Sequence, residues 1–381
     1  RIPKLVRDGF RGRIIATEPT VELAQLSLRD SVRIIGEEAK MHGKEPFFTM
    51  VDVEAADQYF QTTRYGRTIE LPGNGRVTVL SAGHVLGSAM YRFELDGKVI
   101  TFTGDIGNKP APLIGPPDVV GTTDYLVIES AYGDRKHQPA KLGAALLGEV
   151  VKETIARKGV LLIPSFALER TQILLFHINN LVETGVIPMT PVYLDSPLAI
   201  KITGVYKKYS NYFNEAIQTQ IFSGDQIFEF PMLRFSQSVD DSKKINKVKP
   251  PKIIIAGNGM STGGRILFHE MMYLSDPKNT ILLAGYQVEH SLGRQILDRK
   301  DYVHIFGKRI EVKADVHQIS SFSAHADNPQ LLAFVRENIE NKPTKIFVVQ
   351  GEENAAWQLA QDLNDGGFSA QAPDYKDSFE L

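Results

Sequence analysis

The chain reads as an α/β protein in which helices cross over a largely parallel sheet. Three observations predict this class. Short β-branched runs recur along the sequence, several alternate with stretches carrying apolar residues three and four apart, and metal-capable side chains fall in loops directly after two of the runs. The 381 residues, 43% hydrophobic and 23% charged, suffice for a large core and two or three domain-sized units.

Taken in order, residues 21–41 form a long helical stretch closed by His42 and Gly43. Residues 77–80 and 98–102 read as buried strands, followed by strands at 125–128, 160–163, 192–194, 252–256, 281–284 and 346–349. Helical spacing covers 146–156, 171–182, 266–274 and 331–339. Asn328 is expected to cap the last of these, with Pro329 at its first helical position. Between Ser210 and Pro251 the pattern weakens, and the polar, lysine-bearing stretch 240–251 reads as a surface loop.

Composition narrows the chemistry. A net charge of -2 and a pI near 6.6 supply no global positive field, so a nucleic acid would be held by a local patch. The absence of cysteine excludes disulfides and thiolate metal sites, leaving His, Asp and Glu as ligands. No apolar run approaches the roughly 20 residues that span a bilayer. Residues 1–7 lack the apolar stretch of a signal peptide, which is compatible with a cytoplasmic location.

Polar residues at the strand ends carry the functional signal. His84, between Gly83 and Gly87, is by itself either an ordinary loop histidine or a ligand. Asp105, after Gly104, is either a ligand or a turn cap. Glu129 ends an apolar run and needs a cation, a metal or a histidine as partner, a salt bridge being the simplest. His325 and Asp327 stand two apart ahead of a helix, where Asp327 could serve only the cap, and Gln350 follows the last strand.

Four further residues fit phosphate binding. Ser165 and Arg170 lie between a strand end and a helix, with Glu169 placed to offset the local positive charge. Ser261 and Arg265 belong to a glycine-rich strand-to-helix turn, which a left-handed turn explains nearly as well. Lys243, Lys244, Lys247, Lys249 and Lys252 form a basic run that either contacts a nucleic acid or is solvated surface.

In order and spacing, Gly83–Ser88, Phe102–Asp105, Ile128–Arg135 and Phe322–Asp327 resemble the metallo-β-lactamase-fold nucleases with a β-CASP insertion. Ile163–Ala167, Arg170–Gln172, Asp195–Ala199, Gly259–Arg265 and Gly285–Gln287 extend the resemblance through the insertion and over nearly the whole chain. The likeness is greatest to the RNA-processing branch, which holds bacterial and archaeal RNases and the polyadenylation cleavage subunit. It implies a four-layer αββα core at residues 1–133 and 323–381, an inserted α/β cap at 134–322, and a catalytic cleft between them.

The resemblance further implies hydrolysis of RNA phosphodiesters, with two zinc ions generating the nucleophile and neutralising charge. By position His84 ligates one zinc, Asp105 bridges both, His325 is the general acid and Glu129 orients it. Ser165, Arg170, Ser261 and Arg265 are then substrate-binding positions, single-stranded RNA is the partner, and a homodimer is compatible.

Two departures qualify this picture. Family members carry a His-x-His-x-Asp-His cluster just before the segment matching Arg1. None of the nine histidines, at 42, 84, 137, 177, 269, 290, 304, 317 and 325, replaces it, so Arg1 is read as opening a truncated, proteolysed or partial chain, with a degenerate natural variant as the alternative. Gln350 stands where relatives have a histidine ligand, and its neutral amide is a weak partner for zinc. The sequence therefore supports a zinc-dependent ribonuclease of RNA processing or decay with part of its metal site outside these residues. Its alternative is a catalytically silent β-CASP scaffold that binds RNA or a nuclease partner.

Overall fold

The structure, a computed structural model, describes residues 1–381, the side chains of residues 140 and 141 excepted. Two compact units divide the chain. One comprises Arg1–Lys136, Asn211–Phe213 and Ala324–Leu381, the other His137–Ser210 and Asn214–Ser323.

The first unit is built on a seven-stranded mixed sheet. In spatial order its strands are Ala370–Gln371, Lys345–Val349, Tyr125–Glu129, Lys98–Phe102, Ala89–Leu95, Arg76–Ser81 and Thr68–Glu70. The first four run parallel and the remaining pairings are antiparallel. The expected largely parallel sheet is thus only half of this unit. Ala89–Leu95, with most positions half-buried, lacks the continuous apolar run that marks a strand covered on both faces. A smaller parallel pair, Ile14–Thr17 with Phe60–Thr63, flanks the helices Glu18–Met41 and Met50–Asp57. Leu126, Ile128, Ile346 and Val348 pack with Leu331, Phe334, Leu359 and Leu363 in the core, so the helices Asn328–Glu337 and Glu353–Asp365 cover the parallel half.

The second unit holds a six-stranded, wholly parallel sheet. Its order is Leu233–Phe235, Val192–Asp195, Lys252–Ala256, Val160–Pro164, Thr280–Leu283 and Asp315–Gln318. The four central strands are buried at every position, as helices on both faces require.

Two local expectations change. Asp327, not Asn328, caps the helix Asn328–Glu337, its carboxylate accepting from the Gln330 N–H at 3.2 Å. Asn328 instead donates to the Gly133 carbonyl at 2.6 Å and to Asp362 at 2.7 Å. The stretch read as a surface loop contains the helix Val239–Ile245, started by a reciprocal capping box between Ser238 and Asp241. The basic run also breaks up. Lys243 and Lys244 face Asp240 and Asp241, and Lys252 is buried with its ammonium on the Ile245 and Val248 carbonyls and the Tyr273 hydroxyl.

Candidate metal centre

Strand direction assembles the site. Lys98–Phe102, Tyr125–Glu129 and Lys345–Val349 are parallel neighbours, with Phe102 opposite Val127 and Val349 opposite Glu129. Arg76–Ser81 is related to Lys98–Phe102 through two antiparallel pairings, so it runs the same way. The loops bearing His84 and Asp105, the carboxylate of Glu129 and Gln350 therefore all leave one edge of one sheet.

Backbone contacts then bring the loops together. The Gly107 N–H donates to the Ala82 carbonyl at 2.9 Å, and a Cβ on Gly107 would lie 1.8 Å from the Gly83 oxygen. Gly83 itself has φ +65°, and a Cβ there would meet the Pro117 nitrogen at 2.6 Å. Ser88 folds the His84 loop: its hydroxyl accepts from the N–H groups of His84 and Val85 at 3.1 and 3.2 Å. The Thr17 and Thr20 hydroxyls donate to the Gly87 carbonyl at 2.7 and 2.8 Å. The His325 loop joins by a short antiparallel bridge, with Asn108 N–H on the Ala324 carbonyl and Ala326 N–H on the Ile106 carbonyl, both at 2.8 Å.

His84, Asp105 and His325 then present donor atoms within 4.8 Å of one another. His84 Nδ1 lies 3.1 Å from the Ala324 carbonyl oxygen, which only accepts, so Nδ1 carries the proton and Nε2 its lone pair. That Nε2 is 3.8 Å from Asp105 Oδ2. Two ligands of a tetrahedral zinc are separated by about 3.3 Å, so this pair fits one ion after a shift of about half an ångström. Glu129 is fully buried, and its carboxylate accepts from the Ile106 N–H, from the Ala131 N–H at 3.3 Å and from His325 Nδ1 at 3.1 Å. The partner that the sequence required for Glu129 is the histidine. His325 Nε2 faces away from that bond, and its ring centroid lies 4.4 Å from that of His84.

The remaining sequence-predicted residues fall elsewhere. Gln350 is exposed and has φ +65°, while Gly351 presses on Ser130, whose oxygens would lie 2.4 Å from an added Cβ. Ser165, Arg170, Ser261 and Arg265 all belong to the second unit. Ser165 and Ser261 are buried, at 2% and 1% exposure. Ser165 bonds Thr171 and the Phe166 carbonyl, and Ser261 donates to Glu270. Arg170 donates to the Ala284 carbonyl, and Arg265 is held by Asp195 at 2.7 Å and by the Ser236 and Gln237 carbonyls. Glu169, expected to moderate Arg170, is buried and accepts from the Tyr206 hydroxyl. These groups brace the loops at the sheet's carboxyl edge. Ser88 and the Ala324 carbonyl, which orient His84, carry no sequence signal of that role, because each acts through a partner fixed only by folding.

A buried carboxylate–histidine pair beside a histidine–aspartate pair, carried by a strand end and neighbouring loops, is an arrangement of the metallo-hydrolase type. Comparison with known proteins agrees. The Beta-Casp domain profile matches residues 171–296, and that of the Zn-dependent metallo-hydrolase RNA specificity domain matches residues 309–373. A ribonuclease of Thermus thermophilus is 33% identical over 95% of this chain and 80% of its own length. An RNase J-like protein of Methanocaldococcus jannaschii is 32% identical over 92% of this chain and 79% of its own length. The transcription termination factor FttA of Thermococcus kodakarensis is 30% identical over 98% of this chain, which spans 58% of that longer protein. The chain belongs to the β-CASP family of metallo-β-lactamase-fold RNA nucleases. Among the described residues no helix is long and apolar enough to cross a membrane.

Proposed function

We propose that this protein hydrolyses phosphodiester bonds of single-stranded RNA with zinc held in part by His84 and Asp105. The observation that carries the reading is the convergence of His84, Asp105 and His325 within 4.8 Å, with His325 backed by a buried carboxylate. An imidazole and a carboxylate form a donor set suited to zinc. When bound, zinc makes a water nucleophilic near neutral pH and neutralises charge developing on the phosphate.

The chain's own residues do the rest. The Ala324 carbonyl fixes the His84 tautomer that offers Nε2 to the metal. Asp105, with its side chain 42% exposed, would supply a carboxylate ligand to the metal. Glu129 holds the proton of His325 on Nδ1 and stabilises the imidazolium, so Nε2 is the atom that gives a proton to the leaving oxygen. Gln350 offers only a neutral amide at its strand end, which supports weaker retention of a second ion.

The test is zinc content by elemental mass spectrometry together with cleavage of labelled RNA by the native gene product. Two equivalents of zinc and cleavage abolished by chelation are expected, with His325→Ala slowing cleavage by about 10²–10⁴ at unchanged zinc content. A native product with neither zinc nor cleavage overturns the reading. Gln350 favours one competitor, a silent RNA-binding scaffold, in which Gln350→His leaves cleavage at background.

A further inference from the structure

The second unit carries a β-hairpin outside the motifs that define the family resemblance. Tyr302–Ile305 pairs antiparallel with Lys308–Glu311, Tyr302 opposite Glu311 and His304 opposite Arg309. Its two-residue turn, Phe306 and Gly307, has φ of 50° and 75°, as a primed hairpin turn requires. Alternation sends Val303 and Ile305 into the core and leaves Tyr302, His304 and Arg309 exposed.

The outward side is lined with rings. The Tyr302 and His304 centroids are 5.6 Å apart, and the Arg309 guanidinium stands 4.2 Å from the Tyr302 centroid. At the tip Phe306, 55% exposed, lies 4.8 Å from Phe268, 54% exposed, on the helix Ile266–Tyr273. Along a strand, residues two apart repeat at about 6.7 Å, so the hairpin side presents rings in a row.

The charge around the rings is positive. Lys300, Lys308 and Arg309 are exposed, and the nearby acids Glu311 and Asp298 are already engaged by Lys313 at 2.6 Å and Arg294 at 2.9 Å. Asp301 is the remaining acid between residues 298 and 313. In a chain of net charge -2 this is a local basic patch interleaved with aromatic faces. Such a surface matches a strand with a π-face on each base and a negative charge on each phosphate.

We infer that this hairpin is a second contact surface for single-stranded RNA, with bases on Tyr302, Phe306 and Phe268 and phosphates on Lys300, Lys308 and Arg309. The inference rests on the reading that the protein acts on RNA. Unpaired bases are required, because paired ones keep their faces stacked within the duplex. His84, Asp105, Glu129 and His325 all belong to the other unit, so the hairpin adds affinity without supplying a reacting group.

The experiment is binding of a fluorescein-labelled oligouridylate to the full protein, read by anisotropy across a salt series, with sedimentation run in parallel. Tyr302→Ala combined with Phe306→Ala should weaken binding roughly tenfold or more, while Tyr302→Trp should retain it. Arg309→Gln should flatten the slope of log affinity against log salt by about 0.7. Native affinity in the double alanine variant, or an unchanged slope in Arg309→Gln, overturns the inference. Loss of self-association in place of RNA binding also overturns it, by assigning the rings to a second copy of the chain. The two readings fail separately. Hairpin-dependent binding by a protein that never cleaves RNA sinks only the reaction, and cleavage with hairpin-independent binding sinks only this surface.

Discussion

Glu270 gives the sharpest test of the fold, because it is a carboxyl group enclosed in the second unit. It is 0% exposed, one oxygen accepts from the Ser261 hydroxyl, and the other has no hydrogen-bond partner among the described residues. Burial pushes its pKa up to about 8, against the lowering effect of the Ser261 bond. The folded-state value lies above the unfolded one, so between about pH 4.5 and 8 the native protein binds more protons than the unfolded chain. Stability therefore falls as pH rises through that window. A tenfold change in proton affinity is worth about 1.4 kcal/mol, so the cost is about 3 kcal/mol at pH 7 and about 5 kcal/mol above pH 8. Glu270→Gln keeps the shape and an acceptor for Ser261 but carries no charge. The variant should match the native protein near pH 4.5 and exceed it by these amounts at higher pH. The only tryptophan, Trp357, lies in the other unit, so its fluorescence is the wrong probe. Hydrogen exchange of the buried strand Lys252–Ala256 across pH 5–9, corrected for intrinsic rates, reads the correct unit. Parallel stability curves for the two proteins would refute the reasoning.

Three other outcomes are expected. Asp195→Asn should destabilise the second unit by about 3–5 kcal/mol in urea, because it leaves Arg265 without its buried carboxylate and disturbs the bonds from His269 and Ser242. Gly107→Ala should lower both stability and zinc affinity, since the new methyl would collide with the Gly83 carbonyl and force the His84 and Asp105 loops apart. Calorimetry with zinc reads that separation. Gln350→His in the native gene product should raise the affinity for the second zinc equivalent by about tenfold or more, followed by equilibrium dialysis.

What was legible in the sequence tracks how local each signal is. Lys252–Ala256 and Val160–Pro164 announce themselves because strands buried on both faces need unbroken apolar runs. Ala89–Leu95 and the Tyr302–Glu311 hairpin escaped because half-buried strands mix exposed and covered positions and are confirmed only by their neighbours. The helix Val239–Ile245 had a readable start in Ser238 and Asp241, but only Val239 and Ile245 supply an apolar face. The convergence of His84, Asp105, Glu129 and His325 was foreshadowed because each follows or ends a distinctive block. Ser165 and Ser261 stand in equally distinctive blocks, yet the structure buries both side chains. A small hydroxyl in a glycine-rich turn looks alike whether it faces a phosphate or, like Ser261, a buried carboxyl group.

The geometry of the centre depends on backbone contacts and one carboxylate more than on packing around the donors. Glu129 accepts from Ile106, next to Asp105, and from His325, so a single buried carboxylate fixes both the Asp105 loop and the orientation of the His325 ring. The close approach of Gly107 to Gly83 fixes His84 against the same loop. Donor positions set this way exist before any ion arrives, which reduces the ordering cost of binding. The same carboxylate couples the Asp105 loop to the His325 ring. Removing the Glu129 carboxylate would loosen the Asp105 loop and leave His325 Nδ1 without its acceptor, so on the proposed roles metal retention and proton donation would decline together.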